Sequence, residues 1–209
     1  GAMIETYDFI GFGIAAALYF NKVFFPANDP RSGLLLSFAT LGIGFAVRPL
    51  GGIIGGILGD KIGRKPVLVG SLLLMGGATV LIGALPTYQQ VGVWAGILLV
   101  AVRVVQGLAF GAEWGGAILM CFEHAPWRKK GLYTGITQAG FPVGLLLANF
   151  AFLISVPLGE QWAWRVPFLL SAVLIVVGIF IRLKVEESPE FEELKEEGDL
   201  SKNPLKEVL

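Results

Sequence analysis

Charge is scarce in this chain. Asp, Glu, Lys and Arg make up 15% of its 209 residues, where a soluble domain carries about a quarter, so an ordinary soluble domain is excluded. The single cysteine, Cys121, excludes an internal disulfide, and the single histidine, His124, excludes a multi-histidine metal site. The formal net charge is zero, and the charges are segregated along the chain rather than gathered into a basic patch, which leaves no surface for nucleic acid. Gly-x-Ser-x-Gly, His-Glu-x-x-His and Gly-x-x-x-x-Gly-Lys are all missing. Without a nucleophile, metal or cofactor motif, the chain reads as a protein that is not an enzyme, with no catalytic residue, metal or organic cofactor. No basic segment precedes the first apolar stretch, so no cleavable signal peptide is expected.

What fills the chain instead is apolar. Hydrophobic residues make 55% of it, glycine contributes 29 positions and the mean hydropathy is +0.72. A span needs about 20 mostly apolar residues, and six runs qualify, at about 4–25, 34–58, 66–85, 93–121, 132–157 and 164–184. Short connections make antiparallel hairpins of them. The expected fold is an all-α membrane protein, with a six-helix transmembrane bundle over 1–184 and a cytoplasmic segment over 185–209. Lys61, Arg64, Lys65, Arg128, Lys129 and Lys130 fall on one side of the bilayer, against Lys22, Arg31 and Arg165 on the other. That bias predicts that the first group, and both termini with it, are cytoplasmic. Trp94, Trp162 and Trp164 fall near the outer span ends, as interfacial aromatics do. The segment after Lys184 is acidic and reads either as a solvated linker or as a short helix capped by Ser188 and Pro189. The chain's ends read as those of a piece cut from a longer chain, or as Gly1–Met3 added in cloning.

The fourth run is the unusual one, because it carries Arg103, Gln106, Glu113 and Trp114. A charge near the bilayer centre costs about 2.5–3.5 kcal/mol on insertion scales and marks a substrate or ion path by default. At 100° per residue Gln106 and Glu113 lie about 20° apart, with Arg103 roughly 60–80° from both, so one face is polar. Gly107, Gly111 and Gly115 form a neighbouring stripe for close helix packing. The plainer alternative is that Arg103 and Glu113 only bridge helices. Counting rise from the outer span ends puts Arg103 roughly 15 Å deep, Arg48 about 21 Å, Asp8 about 26 Å and Glu113 about 30 Å, with both cations above both anions. Asp8 and Glu113 are the proton candidates, since a carboxylate can take and release a proton where an arginine stays charged. Arg48, on the face of Gly55, is either a packed link or a substrate ligand. Gly135, Gly140, Pro142 and Gly144 predict close packing and a bend in the fifth helix.

Several strings then read together. Gly56-Ile-Leu-Gly-Asp60-Lys61-Ile-Gly63-Arg64-Lys65 and Arg103-Val-Val-Gln106-Gly107 resemble the loop and fourth-helix signatures of the major facilitator superfamily. Ile4-Glu5-Thr6-Tyr7-Asp8-Phe9, Arg48-Pro49-Leu50-Gly51-Gly52, Ala112-Glu113-Trp114-Gly115-Gly116 and Glu187-Ser188-Pro189-Glu190-Phe191 narrow the resemblance to its metabolite:proton symporter family. Thr6 and Ala112 depart from the family's usual Trp and Gly. The resemblance implies twelve helices in two halves, this chain being like the first half, built of two inverted three-helix repeats, plus the start of the central linker. The hydropathy agrees with such a repeat, though no residue-level repeat is visible.

It further implies proton and substrate roles for Asp8 and Arg103, with Glu113 next. Arg48, Tyr7, Gln106, Trp114 and Gln138 are the other cavity candidates. Gly56, Asp60, Lys61, Gly63, Arg64 and Lys65 form the implied gating loop, with Asp60 and Arg64 as its gate. The Gly-Pro dipeptide of the superfamily's antiporters is missing from the fifth helix, which favours symport. The function implied is proton-coupled uptake of a small-molecule substrate, an organic acid or zwitterionic osmolyte, by alternating access in a bacterial inner membrane. The expected partners are the lipid bilayer and a C-terminal six-helix half, with the proton as coupling ion and no other cofactor. The rival readings are a six-helix scaffold without a transport cycle, or a half-sized homodimer.

Overall fold

A computed structural model of the protein describes residues 2–26, 30–123, 126–129, 131–132, 135 and 138–184. Inside a bilayer every backbone N–H and C=O must be paired within the protein, which leaves the helix as the form for an apolar run. Six such spans are present among the described residues. The first is Ala2–Ala15, a π-helical turn Ala16–Phe20, and Asn21–Val23. The second comprises Pro30–Ala46 and Arg48–Ile62, and the third is Arg64–Ala84. Trp94–Glu123, Gly140–Ser155 and Arg165–Lys184 are the fourth, fifth and sixth. The expected tail, 185–209, lies outside the described residues.

The second span corrects the expectation of one continuous helix. It breaks at Val47 because Pro49, in the first turn of the next segment, has no N–H to give. The hydrogen bonds resume at once, from Val47 to the Ile43 carbonyl at 3.2 Å and from Gly51 to the Val47 carbonyl at 3.2 Å. The break is thus one residue wide, and Arg48 opens the second segment. Gly63, at φ 97°, makes the sharp reversal into the third span, a conformation that side chains with a Cβ rarely adopt.

The spans pack second on fourth, first on fifth, third on sixth and third on fourth. Exchanging the first three spans for the last three turns the second–fourth pair into fifth–first and leaves third–sixth unchanged, the pattern of two inverted repeats. Glycine sets the closest approaches. A methyl at Gly51 would strike the Leu108 carbonyl, one at Gly107 the Gly44 carbonyl and one at Gly111 the Arg48 carbonyl, so the second and fourth spans meet backbone to backbone. Gly140 and Gly144 receive the first span at Met3 and Thr6 in the same way, whereas Gly135 faces open space.

The third and sixth spans are tied at both ends. Arg165 donates to the Gly83 carbonyl at 2.8 Å and Lys65 donates to the Leu183 carbonyl at 3.3 Å. Each cation meets carbonyls at the C-terminal end of the other helix, where the helix dipole is negative. Midway, Ile175 fills the space left by Gly76. Opposite the end that holds Ala2 and Lys184, Phe12, Phe20, Phe24, Phe152, Trp164 and Phe168 form an aromatic core. Trp164 therefore corrects an expectation: it is 1% exposed and packs on Phe20 and Phe24, while Trp94 at 65% and Trp162 at 53% stay at the surface.

Candidate functional site

The centre of the bundle is charged, although a lone charge there is costly. Arg103 on the fourth span donates from Nη1 to Asp8 Oδ2 on the first at 3.0 Å and to Gln106 Oε1 at 2.9 Å. Gln106 donates from Nε2 to Asp8 Oδ1 and to Thr79 Oγ1 on the third span, both at 2.9 Å. The Thr79 hydroxyl lies 2.8 Å from Asp8 Oδ1 and 2.9 Å from the Met75 carbonyl. Since Gln106 donates to Thr79, the hydroxyl's own hydrogen is available to Asp8. Both oxygens of that carboxylate are thus held, by donors from two other spans. Asp8, Thr79, Arg103 and Gln106 are all buried.

Local structure puts them there. Arg103 and Gln106 are three positions apart on one helix and share a face. The Arg103 guanidinium lies 4.1 Å above the Phe12 ring, and its Nε passes over Gly44, where a side chain would collide with it. That buried Nε–H has no hydrogen-bond partner among the described residues.

A second group lies nearer the Ala2 end. Arg48 is sandwiched between Phe45, at 3.8 Å, and Phe110, at 3.5 Å, with buried Glu5 and Glu113 belonging to the same region. The single polar face expected on the fourth span is therefore divided. Arg103 and Gln106 serve Asp8, and Glu113 sits seven residues on, about 10.5 Å along the axis. The depth ladder is corrected as well: Arg103 and Asp8 meet at one level. Counting along separate axes ignored helix tilt, the wide π-helical turn of the first span and the reach of an arginine side chain.

The other candidates are placed as follows. The Tyr7 hydroxyl donates to the Pro167 carbonyl at 2.6 Å, and its ring packs on Ala148 and Ala151, so it ties the first span to the fifth and sixth. Gln138 is exposed, and the Trp114 side chain lies outside the described residues. Asp60 and Arg64 line one cavity of about 150 Å³, walled by second-span glycines and by Gly111 and Ala112 of the fourth. Gly56 belongs to that wall, Gly63 is the turn, Lys61 is exposed and Lys65 serves the third–sixth tie. Thr79, Phe12 and Glu5 escaped the sequence reading. Only Glu5 carried a visible signal, as an acid three residues before Asp8.

Inverted three-helix repeats around a buried polar site are the architecture of secondary transporters, and that is the class this fold and site define. The sequence profile of the family described as "Sugar (and other) transporter" matches residues 1–208, and the chain belongs to this family of the major facilitator superfamily. A putative metabolite transport protein of Haemophilus influenzae is 47% identical, covering 100% of this chain and 49% of the relative. The shikimate transporter of Escherichia coli is 48% identical over 92% of this chain and 45% of the relative. Among solved structures, the proton:xylose symporter XylE bound to 6-bromo-6-deoxy-D-glucose superposes with a TM-score of 0.74 at 19% identity, covering 95% of this chain and 46% of that one. The chain spans about half the length of the curated relatives it matches.

Proposed function

We propose that this chain forms one half of a proton-coupled symporter for a small organic metabolite, an organic acid or zwitterionic osmolyte, working by alternating access against a second six-helix half. The observation that carries the reading is the Asp8–Arg103 ion pair, with Gln106 and Thr79 completing the carboxylate's shell inside a membrane bundle.

Charge balance supplies the coupling. Empty, the site holds Asp8 as carboxylate and Arg103 as guanidinium and is neutral. A proton on Asp8 removes the arginine's partner, and a substrate carboxylate then pairs with the guanidinium in its place, by charge-assisted and potentially bidentate hydrogen bonds. Proton and substrate together restore neutrality. Either one alone leaves a net buried charge, which is expensive in a low-dielectric bundle, so the two travel together. Of the two substrate kinds, this bookkeeping favours a monoanionic acid. The shikimate transporter among the relatives handles such a solute by its name.

In this reading the basic residues at 61–65 and 128–130 face the cytoplasm of a bacterial cell, with both termini. Residues 185–209 begin the linker to the second half. Asp60 and Arg64 close the cytoplasmic side when the halves rock together. The test is a panel of labelled shikimate, glycine betaine and xylose offered to vesicles that hold this chain with its second half under an imposed proton gradient. Accumulation of the acid or the betaine supports the reading, and accumulation of none of them defeats it.

A further inference from the structure

Glu5 stands one helical turn from Asp8 on the first span, towards the end that holds Ala2 and Lys184. Positions three apart on a helix have Cβ atoms about 5–6 Å from each other. Glu5 is 9% exposed, and no hydrogen bond or ion pair joins it to another described residue. The charged groups that act on it are Glu113 from the fourth span, Arg48 from the second, Asp8 from its own, and the chain's amino terminus. The third, fifth and sixth spans add none among the described residues.

Arg48 is committed to neither carboxylate. Its guanidinium is stacked between the Phe45 and Phe110 rings, and its buried Nε–H lacks a partner among the described residues. Two carboxyl groups therefore share the surroundings of one guanidinium, and one of them, Glu5, is a single helical turn from Asp8. Nothing in the charge balance at Asp8 and Arg103 uses them.

We propose that Glu5 is the station through which the proton taken up at Asp8 leaves, with Arg48 and Glu113 setting the charge around it. This rests on the transport reading above. The O–H bond at Asp8 breaks as an O–H bond forms at Glu5. With the substrate already dissociated, Asp8, again a carboxylate, re-forms its pair with Arg103, and the empty site returns neutral. Glu5, now neutral, then gives its proton to water at the Ala2 end and returns to a carboxylate facing Arg48. Each transfer moves one proton and no other atom.

The test uses the carrier with both halves in vesicles, and the probe is labelled shikimate, or glycine betaine where the panel returns that solute. Glu5→Gln should exchange internal for external label at the wild-type rate, since exchange needs no proton to leave. It should lose gradient-driven accumulation by about a hundredfold, the scale of a missing proton-transfer group. Glu5→Asp should restore most of it. Infrared difference spectra across a pH step should lose a protonated-carboxyl band in Glu5→Gln. Wild-type accumulation by Glu5→Gln, an unchanged infrared spectrum, or joint loss of exchange and accumulation that Glu5→Asp fails to rescue would each overturn the proposal. Failure of the wild type to accumulate either solute would instead sink the transport reading, and the infrared band would still report whether Glu5 exchanges protons.

Discussion

The Arg103 guanidinium donates to the Asp8 carboxylate at 3.0 Å, joining the fourth and first spans across 95 positions of sequence. Both groups are buried, so removing either one leaves an uncompensated charge inside the bundle. In the reading proposed above, transport chemistry and folding stability depend on the same contact.

Asp8→Asn keeps the shape and removes the titratable group. We expect it to retain substrate exchange and lose proton-driven accumulation by on the order of a hundredfold, measured by counterflow and uptake in parallel. Normal accumulation by Asp8→Asn would remove Asp8 from the proton path.

Arg103→Gln leaves Asp8 buried without its cation. Breaking a buried pair from one side costs about 3–5 kcal/mol, so the variant should melt well below the parent in detergent. The double change Asp8→Asn with Arg103→Gln should recover much of that loss, because no lone charge remains. A double variant as unstable as the single one would mean that packing of Arg103 on Phe12 matters more than its charge.

These two residues were legible because charge is so rare in the spans. Arg103 stands out in an apolar run, and Asp8 is one of two acids within the first. Thr79 was not legible. It is one hydroxyl in a run of small and apolar residues, and only the rotation of the third span about its axis turns it to Asp8. The six spans followed from length and hydropathy alone. The break at Val47 had its cause in plain view at Pro49, yet the apolar run continued across it and outweighed it. Trp164 looked interfacial by position, but residues beside a turn can face either way, and this one faces the aromatic core.

Glycine on the second–fourth contact makes a separate prediction. Gly107→Val should destabilise the bundle by at least the roughly 1–3 kcal/mol of an overpacked core, since its added atoms meet the Gly44 backbone. Gly56→Ala faces open space and should be close to neutral. Thermal melts of the two in one detergent check this, and equal melting temperatures would contradict the packing described.

Topology is open to direct labelling. Single cysteines placed at Asn28 and at Lys129, in a background with Cys121→Ser, should react with an impermeant thiol reagent from opposite sides of the membrane, Lys129 from the cytoplasm. Reaction of both from one side would reverse the orientation argued from the basic residues.

In the reading proposed here, the Asp8–Arg103 site works only between two six-helix halves, coupling a proton to a carboxylate substrate. The direct measurement is uptake of labelled shikimate and glycine betaine into vesicles bearing this chain alone, this chain with its second half, and the same pair with Asp8→Asn, each with and without an imposed proton gradient. Gradient-dependent accumulation by the wild-type pair, absent from the chain alone and from the Asp8→Asn pair, is the predicted result. Accumulation by the chain alone, or by the pair irrespective of Asp8, would contradict it.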